Sequence, residues 1–198
     1  MKSVMSKVLA GLSFAALCAG NAGAAAEGGP PMLAKELAPA RGLQRIAVTS
    51  PAFVGGEPIP DKYTQNGDNM SPSIEWAKGP TGTRSYVVLA EDAGVDRREP
   101  IVHWVVYDIN PAVTRLTQAM PTEGKLDIAS QGKNVSGGTG YIGPKPPAGQ
   151  VHPYHFEVFA LNTRLNLDPA KADRDTIVAA MKGKVLASGD LIGNYTGK

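Results

Sequence analysis

The chain has only three histidines, so any chemistry built on imidazole must use His103, His152 or His155. His103 interrupts the apolar run Ile101-Val102-His103-Trp104-Val105-Val106-Tyr107. Side chains of a strand alternate between two faces, which predicts His103 on the face of Ile101, Val105 and Tyr107. There it is either a satisfied core residue or the floor of a pocket. Asp92 ends the preceding strand-like run, close to where an antiparallel neighbour beginning near Ile101 would start. Farther on, Gly143-Pro144-Lys145-Pro146-Pro147-Ala148-Gly149 leads into His152-Pro153-Tyr154. A strand starting at His152 puts His152 and Tyr154 on one face and turns His155 to the other, as a structural residue. The Gly/Pro loop before it is expected to be rigid and to present backbone N–H groups near these side chains.

Two imidazoles, a carboxylate and a phenol form a cradle suited to a small anion, because imidazole N–H and tyrosine O–H both donate to phosphate oxygens. A neighbouring aspartate orients an imidazole or raises its pKa, keeping it cationic near neutral pH. The same residue types can ligate Zn²⁺, but their spacings match no helical or knuckle metal motif. No metal and no other cofactor is expected. No serine sits in a recognisable nucleophile elbow. A general-base role for His103 or His152 stays open, since it depends on geometry.

The elements that must position these residues read as short strands punctuated by Gly and Pro. Arg45 to Thr49, Arg84 to Glu91, Ile101 to Ile109 and Tyr154 to Leu161 are rich in β-branched and aromatic residues. Residues 61–72 and 132–149 have loop composition. One helix is expected, with Asp168 as cap, Pro169 in the first turn, Ile177, Val178 and Met181 at helical spacing, and Gly183 as its stop. Val185 to Ile192 returns to a sheet. Long-range strand pairing with a late helix predicts a mostly antiparallel β-domain rather than a doubly wound α/β fold.

The first 24 residues read as an export signal. Met1 to Lys7 carries two lysines and no acid. Val8 to Gly20 is a mostly apolar run of about 13 residues, short of the ~20 that cross a bilayer. Ala22-Gly23-Ala24 supplies a small-x-small site, placing cleavage after Ala24. Cys18, the single cysteine, lies inside this signal, and Leu17 before it does not suit lipidation. The exported protein is therefore expected without disulfides, thiolate chemistry or sulfur-ligated metal, and in the periplasm or outside the cell. Lys2 and Lys7 belong to the 20 Lys+Arg of the chain, so processing leaves 18 against 18 Asp+Glu. That balance disfavours a nucleic-acid partner. Residues 25–42, rich in Ala, Gly and Pro, are expected as a flexible lead, and 43–198 as one domain.

Several short motifs follow one another in a recognisable order. They are Ile59-Pro60-Asp61-Lys62-Tyr63-Thr64, Asn69-Met70-Ser71-Pro72-Ser73-Ile74-Glu75-Trp76, Val102-His103-Trp104-Val105-Val106-Tyr107, Gly140-Tyr141-Ile142-Gly143-Pro144-Lys145-Pro146-Pro147 and His152-Pro153-Tyr154-His155-Phe156. In this the chain resembles the phosphatidylethanolamine-binding protein family, in its bacterial, Raf-kinase-inhibitor-like branch, from about Ile46 to Tyr195. The resemblance implies a large antiparallel sheet packed on a smaller second sheet, few peripheral helices, and a small anion pocket near one end of the large sheet. It also implies roles position by position. Asp92 matches the first acid of the family's Asp-Pro-Asp-x-Pro stretch, His103 the histidine of the next strand, Pro147 the proline of the Gly/Pro loop, and His152 and Tyr154 the His-x-Tyr pair. Family members bind phosphate, phosphoryl head groups or small carboxylates there, many inhibit other proteins, and bacterial relatives are often homodimers. The chain departs from the pattern at Asp92-Ala93-Gly94-Val95-Asp96, where the family's proline and second acid are missing.

The expected function is an exported, non-enzymatic binding protein for a small anionic ligand, phosphate or a phosphoryl head group. Two alternatives stand beside it: an inhibitor of a protein such as a serine protease outside the cytoplasm, and a hydrolase using a pocket histidine as general base.

Overall fold

The computed structural model describes residues 30–42 and 44–198. The expected export signal, its cleavage site, Cys18 and the start of the 25–42 lead lie outside the described residues.

In chain order the elements are α1 (Ala34–Leu37), β1 (Val48–Thr49), a 3-10 turn (Asp61–Tyr63), β2 (Ile74–Trp76), β3 (Ser85–Asp92), β4 (Ile101–Ile109), β5 (Arg115–Leu116), β6 (Ser130–Gln131), β7 (Val151–Leu161), α2 (Arg174–Met181) and β8 (Val185–Thr196). The large sheet has five strands in the order β6-β4-β3-β7-β8, and the small one three in the order β1-β2-β5. Every strand pairing in both is antiparallel. This is the expected two-sheet, mostly β architecture.

The large sheet is buried on both faces, which is why β3 is buried at every position rather than at alternate ones. Tyr86, Val88, Trp104, Val106, Phe156 and Val158 face the small sheet and pack with Ile74 and Trp76. Val87, Leu89, Val105, Tyr107, Phe159 and Leu161 face the opposite way and pack against Ile177, Val178 and Met181 of α2. The result is three layers: small sheet, large sheet, helices.

Four expectations are corrected. The first concerns His103. The β3–β4 pairing matches Ala90 with Trp104 but Glu91 with Val102, so β4 carries an extra residue at this point. Such a bulge re-aims the side chains after it. Val105 and Tyr107 lie on the helix side and Val102 joins them there, while His103 stacks edge-on against Tyr154, a residue of the core facing the small sheet. The second is the start of the helix. Asp173, not Asp168, caps it, its carboxylate accepting from the Thr176 N–H at 2.9 Å and the Thr176 hydroxyl at 2.6 Å. Asp168 instead closes a separate turn through the Ala170 N–H.

The third correction is β8, which runs to Thr196, past the expected end at Ile192. The fourth is the lead. Leu33, Ala34 and Ala38 are buried, and the docking has a physical cause. Glu91 and Glu157 are fully buried carboxylates on the helix-side face and need donors. Glu91 accepts from the Ala34 N–H at 3.0 Å and from Arg174 Nε at 2.6 Å. Glu157 accepts from the Lys35 N–H at 3.3 Å. Lys35 Nζ and His155 Nδ1 both reach Asp190, and Arg174 also donates to the Met32 carbonyl. His155 is thus the structural residue on the far face that strand alternation predicted.

Candidate functional site

Three inner strands of the large sheet, β4, β3 and β7, bring their ends together. Asp92 ends β3, pairs with Ile101 at the start of β4, and pairs on its other side with Tyr154 of β7. His152 lies two residues before Tyr154 and shares its face, opposite Tyr195 of β8. The bulge in β4 brings His103 to the same side. Sequence alternation found His152 and Tyr154, while His103 arrives by a route that alternation alone excluded.

Asp92 and His152 form a buried pair. His152 Nδ1 lies 2.9 Å and 3.0 Å from the two Asp92 oxygens, and both side chains are almost wholly buried. Asp92 Oδ1 also accepts the Gly94 N–H at 2.8 Å, and the Ala93 N–H is held by the Pro153 carbonyl at 3.0 Å. These bonds lay the chain at Gly94 flat on the His152 ring, where a Cβ would overlap the imidazole. The altered acidic stretch is therefore a close-packed turn, in which the hydrogen-only side chain of Gly94 makes room for the ring. Asp96 returns to the cavity wall. On the far side of the ring, His152 Nε2 is 3.2 Å from Gln150 Oε1.

His103 Nδ1 lies 2.7 Å from the Ile142 carbonyl oxygen. A carbonyl only accepts, so Nδ1 carries the hydrogen and Nε2 of the neutral ring is a lone pair. Burial pulls the His103 pKa below the usual imidazole value, opposed by the Ile142 carbonyl and the Asp92 charge. The sequence had suggested a neighbouring aspartate that keeps an imidazole cationic. At His103 desolvation wins. Burial, followed by the nearby Asp92 charge, pushes the Tyr154 phenol well above its ordinary range, so it stays protonated and able to donate. His103 Nε2 and the Tyr154 hydroxyl are both buried without a hydrogen-bond partner. Native structures satisfy most buried polar atoms.

These side chains line a cavity of about 530 Å³ together with Gln65, Asp96, Ile101, Val135, Lys145 and Pro147. A larger hollow of about 840 Å³ beside Lys78 and Thr83 holds no histidine and no carboxylate. The Gly/Pro wall is held from two sides. Asn69 Oδ1 accepts the Gly143 N–H at 2.7 Å, Gln65 Nε2 donates to the Gly143 carbonyl at 2.7 Å, and Gln65 N–H donates to the Pro144 carbonyl at 3.1 Å. At the other end the Gly149 N–H bonds the Gly197 carbonyl at 3.0 Å. Gly197 lies so close to the Pro146 and Pro147 carbonyls that a Cβ would collide with them.

All five residues singled out from the sequence, Asp92, His103, Pro147, His152 and Tyr154, thus line one cavity. Gln65, Gly94, Lys145 and Gln150 were missed. Gln150, two positions before His152, continues the strand alternation and was the most readable of these. Gln65 sits in a loop about 80 residues from the wall it braces, and nothing local marks it. Among the described residues no group of three or more His, Cys, Asp or Glu is placed to hold a metal ion.

The fold and site define a class: a two-sheet β-protein with a small polar-bottomed cavity at the ends of the central strands of its large sheet. The family profile described as phosphatidylethanolamine-binding protein matches residues 49–196. A UPF0098 protein of Methanothermobacter thermautotrophicus is 40% identical over 138 residues, 69% of this chain and 89% of that one. The crystal structure of a phosphatidylethanolamine-binding-protein homolog, CT736 of Chlamydia trachomatis, superposes with a TM-score of 0.70 at 31% identity, covering 78% of this chain and 99% of that chain. E. coli YbcL, whose structure is described as a new member of the mammalian PEBP family, gives a TM-score of 0.70 at 27% identity, covering 78% and 99%. The chain belongs to the phosphatidylethanolamine-binding protein family.

Proposed function

We propose that this chain is an exported, non-enzymatic binding protein whose cavity takes a small anion, phosphate or a phosphoryl head group such as phosphoethanolamine, and that it works as a homodimer in the periplasm or outside the cell. One observation carries the ligand reading. The buried, unpartnered His103 Nε2 and Tyr154 hydroxyl belong to side chains that line the same cavity as the Asp92–His152 pair, so a ligand that reached them would satisfy polar atoms that otherwise cost free energy. Asp92 spends its charge on His152, and Lys145 brings a cation to the wall. The non-enzymatic reading is supported by the lining, which contains no serine, threonine or cysteine to act as nucleophile. The leader-like run 8–20 supports export, and the likeness to bacterial relatives noted from the sequence supports the dimer.

A ligand that binds only the folded state raises its stability by RT ln(1 + [L]/Kd). Thermal unfolding of the 25–198 protein with millimolar phosphate or phosphoethanolamine tests this. Stabilisation that His152→Ala abolishes is the expected result. No shift with either compound would overturn it.

A further inference from the structure

His103 and Tyr154 give the cavity wall a definite hydrogen-bond polarity. His103 gives its Nδ1 hydrogen to the Ile142 carbonyl, so Nε2 of this cavity-lining ring is an acceptor. That atom is buried and unpartnered, on a residue only 4% exposed. Burial also opposes a second proton on the ring. The charged and titratable groups around it are Asp92 on β3, His152 and Tyr154 on β7, and Asp96 and Lys145 on the surrounding loops. Two of these, Asp92 and Asp96, are carboxylates and accept only. Tyr154 is 2% exposed, and its O–H lies near the Asp92 charge without completing a hydrogen bond. The wall therefore pairs one acceptor, Nε2, with one donor, the phenol, in aromatic contact at 5.2 Å between ring centroids.

An oxyanion bearing no hydrogen would set a lone pair against the Nε2 lone pair. One that keeps an O–H can donate to Nε2 while another of its oxygens accepts from Tyr154. Resting on the reading above that the cavity takes a small oxyanion, we propose that the ligand is one that retains an acidic hydrogen near neutral pH, donated to His103 Nε2. The phosphate monoanion qualifies, and so does the minor monoanion of a phosphomonoester, whose second pKa is about 6. Sulfate does not, and neither does the phosphoryl group of a phosphodiester such as an intact phospholipid. His103 is then the residue that sets this specificity, and the cavity receives free phosphate or a cleaved head group rather than a lipid's diester linkage.

The test is titration calorimetry of the 25–198 protein with inorganic phosphate, sulfate and dimethyl phosphate, at pH 6.5 and matched ionic strength. A buried acceptor left unmade makes phosphate at least about tenfold tighter than either of the others. His103→Gln can turn its amide N–H to the cavity, and it should bring sulfate to within about threefold of phosphate. Wild-type binding of sulfate or dimethyl phosphate within about threefold of phosphate overturns the inference and leaves the anion-pocket reading standing. Absence of binding by all three overturns both.

Discussion

Asp92 holds two hydrogens at once, and removing its carboxylate strips both of their acceptor. The His152 Nδ1–H lies 2.9 Å from Oδ2 and the Gly94 N–H 2.8 Å from Oδ1, in a spot where Asp92 is 2% and His152 5% exposed. Water cannot readily replace the lost partner there. Each buried donor left unsatisfied costs about 1–3 kcal/mol, so Asp92→Ala is expected to destabilise the fold by roughly 2–5 kcal/mol. In a domain of this size each kcal/mol moves Tm by about 2–4 °C, so a mid-range loss of about 3 kcal/mol lowers it by roughly 6–12 °C. Asp92→Asn keeps one carbonyl oxygen for the Gly94 N–H but sets an NH2 donor against the His152 Nδ1–H, so it should cost less than alanine yet still about 1–3 kcal/mol. Circular dichroism melts and urea titrations in phosphate-free buffer separate the two. The alanine variant should also lose its response to phosphate, because the freed imidazole and the Gly94 turn relax together. An Asp92→Ala protein within about 1 kcal/mol of wild type would mean that the His152 and Gly94 hydrogens do not depend on this carboxylate.

Three further outcomes follow from the same geometry. Gly94→Ala drives a Cβ into the His152 ring, so it should cost about 1–3 kcal/mol and abolish phosphate-dependent stabilisation in a protein that still folds, read by paired melts with and without phosphate. Arg174→Met leaves the fully buried Glu91 without its cation, and urea unfolding should show a loss of about 3–5 kcal/mol. Glu157 has its pKa raised well above 4.5 by burial first and then by the Glu91 and Asp190 charges. A carboxyl raised in the folded state contributes stability that is fully present below its unfolded pKa and lost as pH rises through the folded pKa. Glu157→Gln should therefore match wild type near pH 4 and exceed it at pH 8, with a flatter dependence of stability on pH between them. Stability curves that stay parallel across that range would contradict the assignment.

Strands β3, β4, β7 and β8 were legible because their β-branched and aromatic runs are long, and the sheet they form needs apolar residues on both faces. Strands β2, β5 and β6 span two or three residues each, too short to leave a pattern. The shared face of His152 and Tyr154 was legible because β7 keeps its alternation from one to the other. His103 was not, because the bulge is set by pairing with β3 and leaves no trace in the composition of β4. The helix start was misplaced because Asp168-Pro169 and Asp173 are both good initiators locally, and the choice falls to the packing of Ala172 and Ile177 into the core. The docking of 33–38 was illegible for a different reason. Its acceptors, Glu91, Glu157 and Asp190, are scattered along 100 residues of chain and meet only in the folded sheet. The candidate site was thus readable in its residue types, while its hydrogen-bond polarity required the coordinates.

His103 and His152 line the one cavity proposed to take a small anion, while His155 bonds Asp190 on the opposite face of the same sheet. With three histidines in the chain, nitrogen NMR of the ¹⁵N-labelled imidazoles during a phosphate titration reads each one separately. Saturating phosphate should shift His103 Nε2 most, move His152, and leave His155 in place. Unchanged His103 and His152 signals at saturating phosphate, or a response confined to His155, would contradict that proposal.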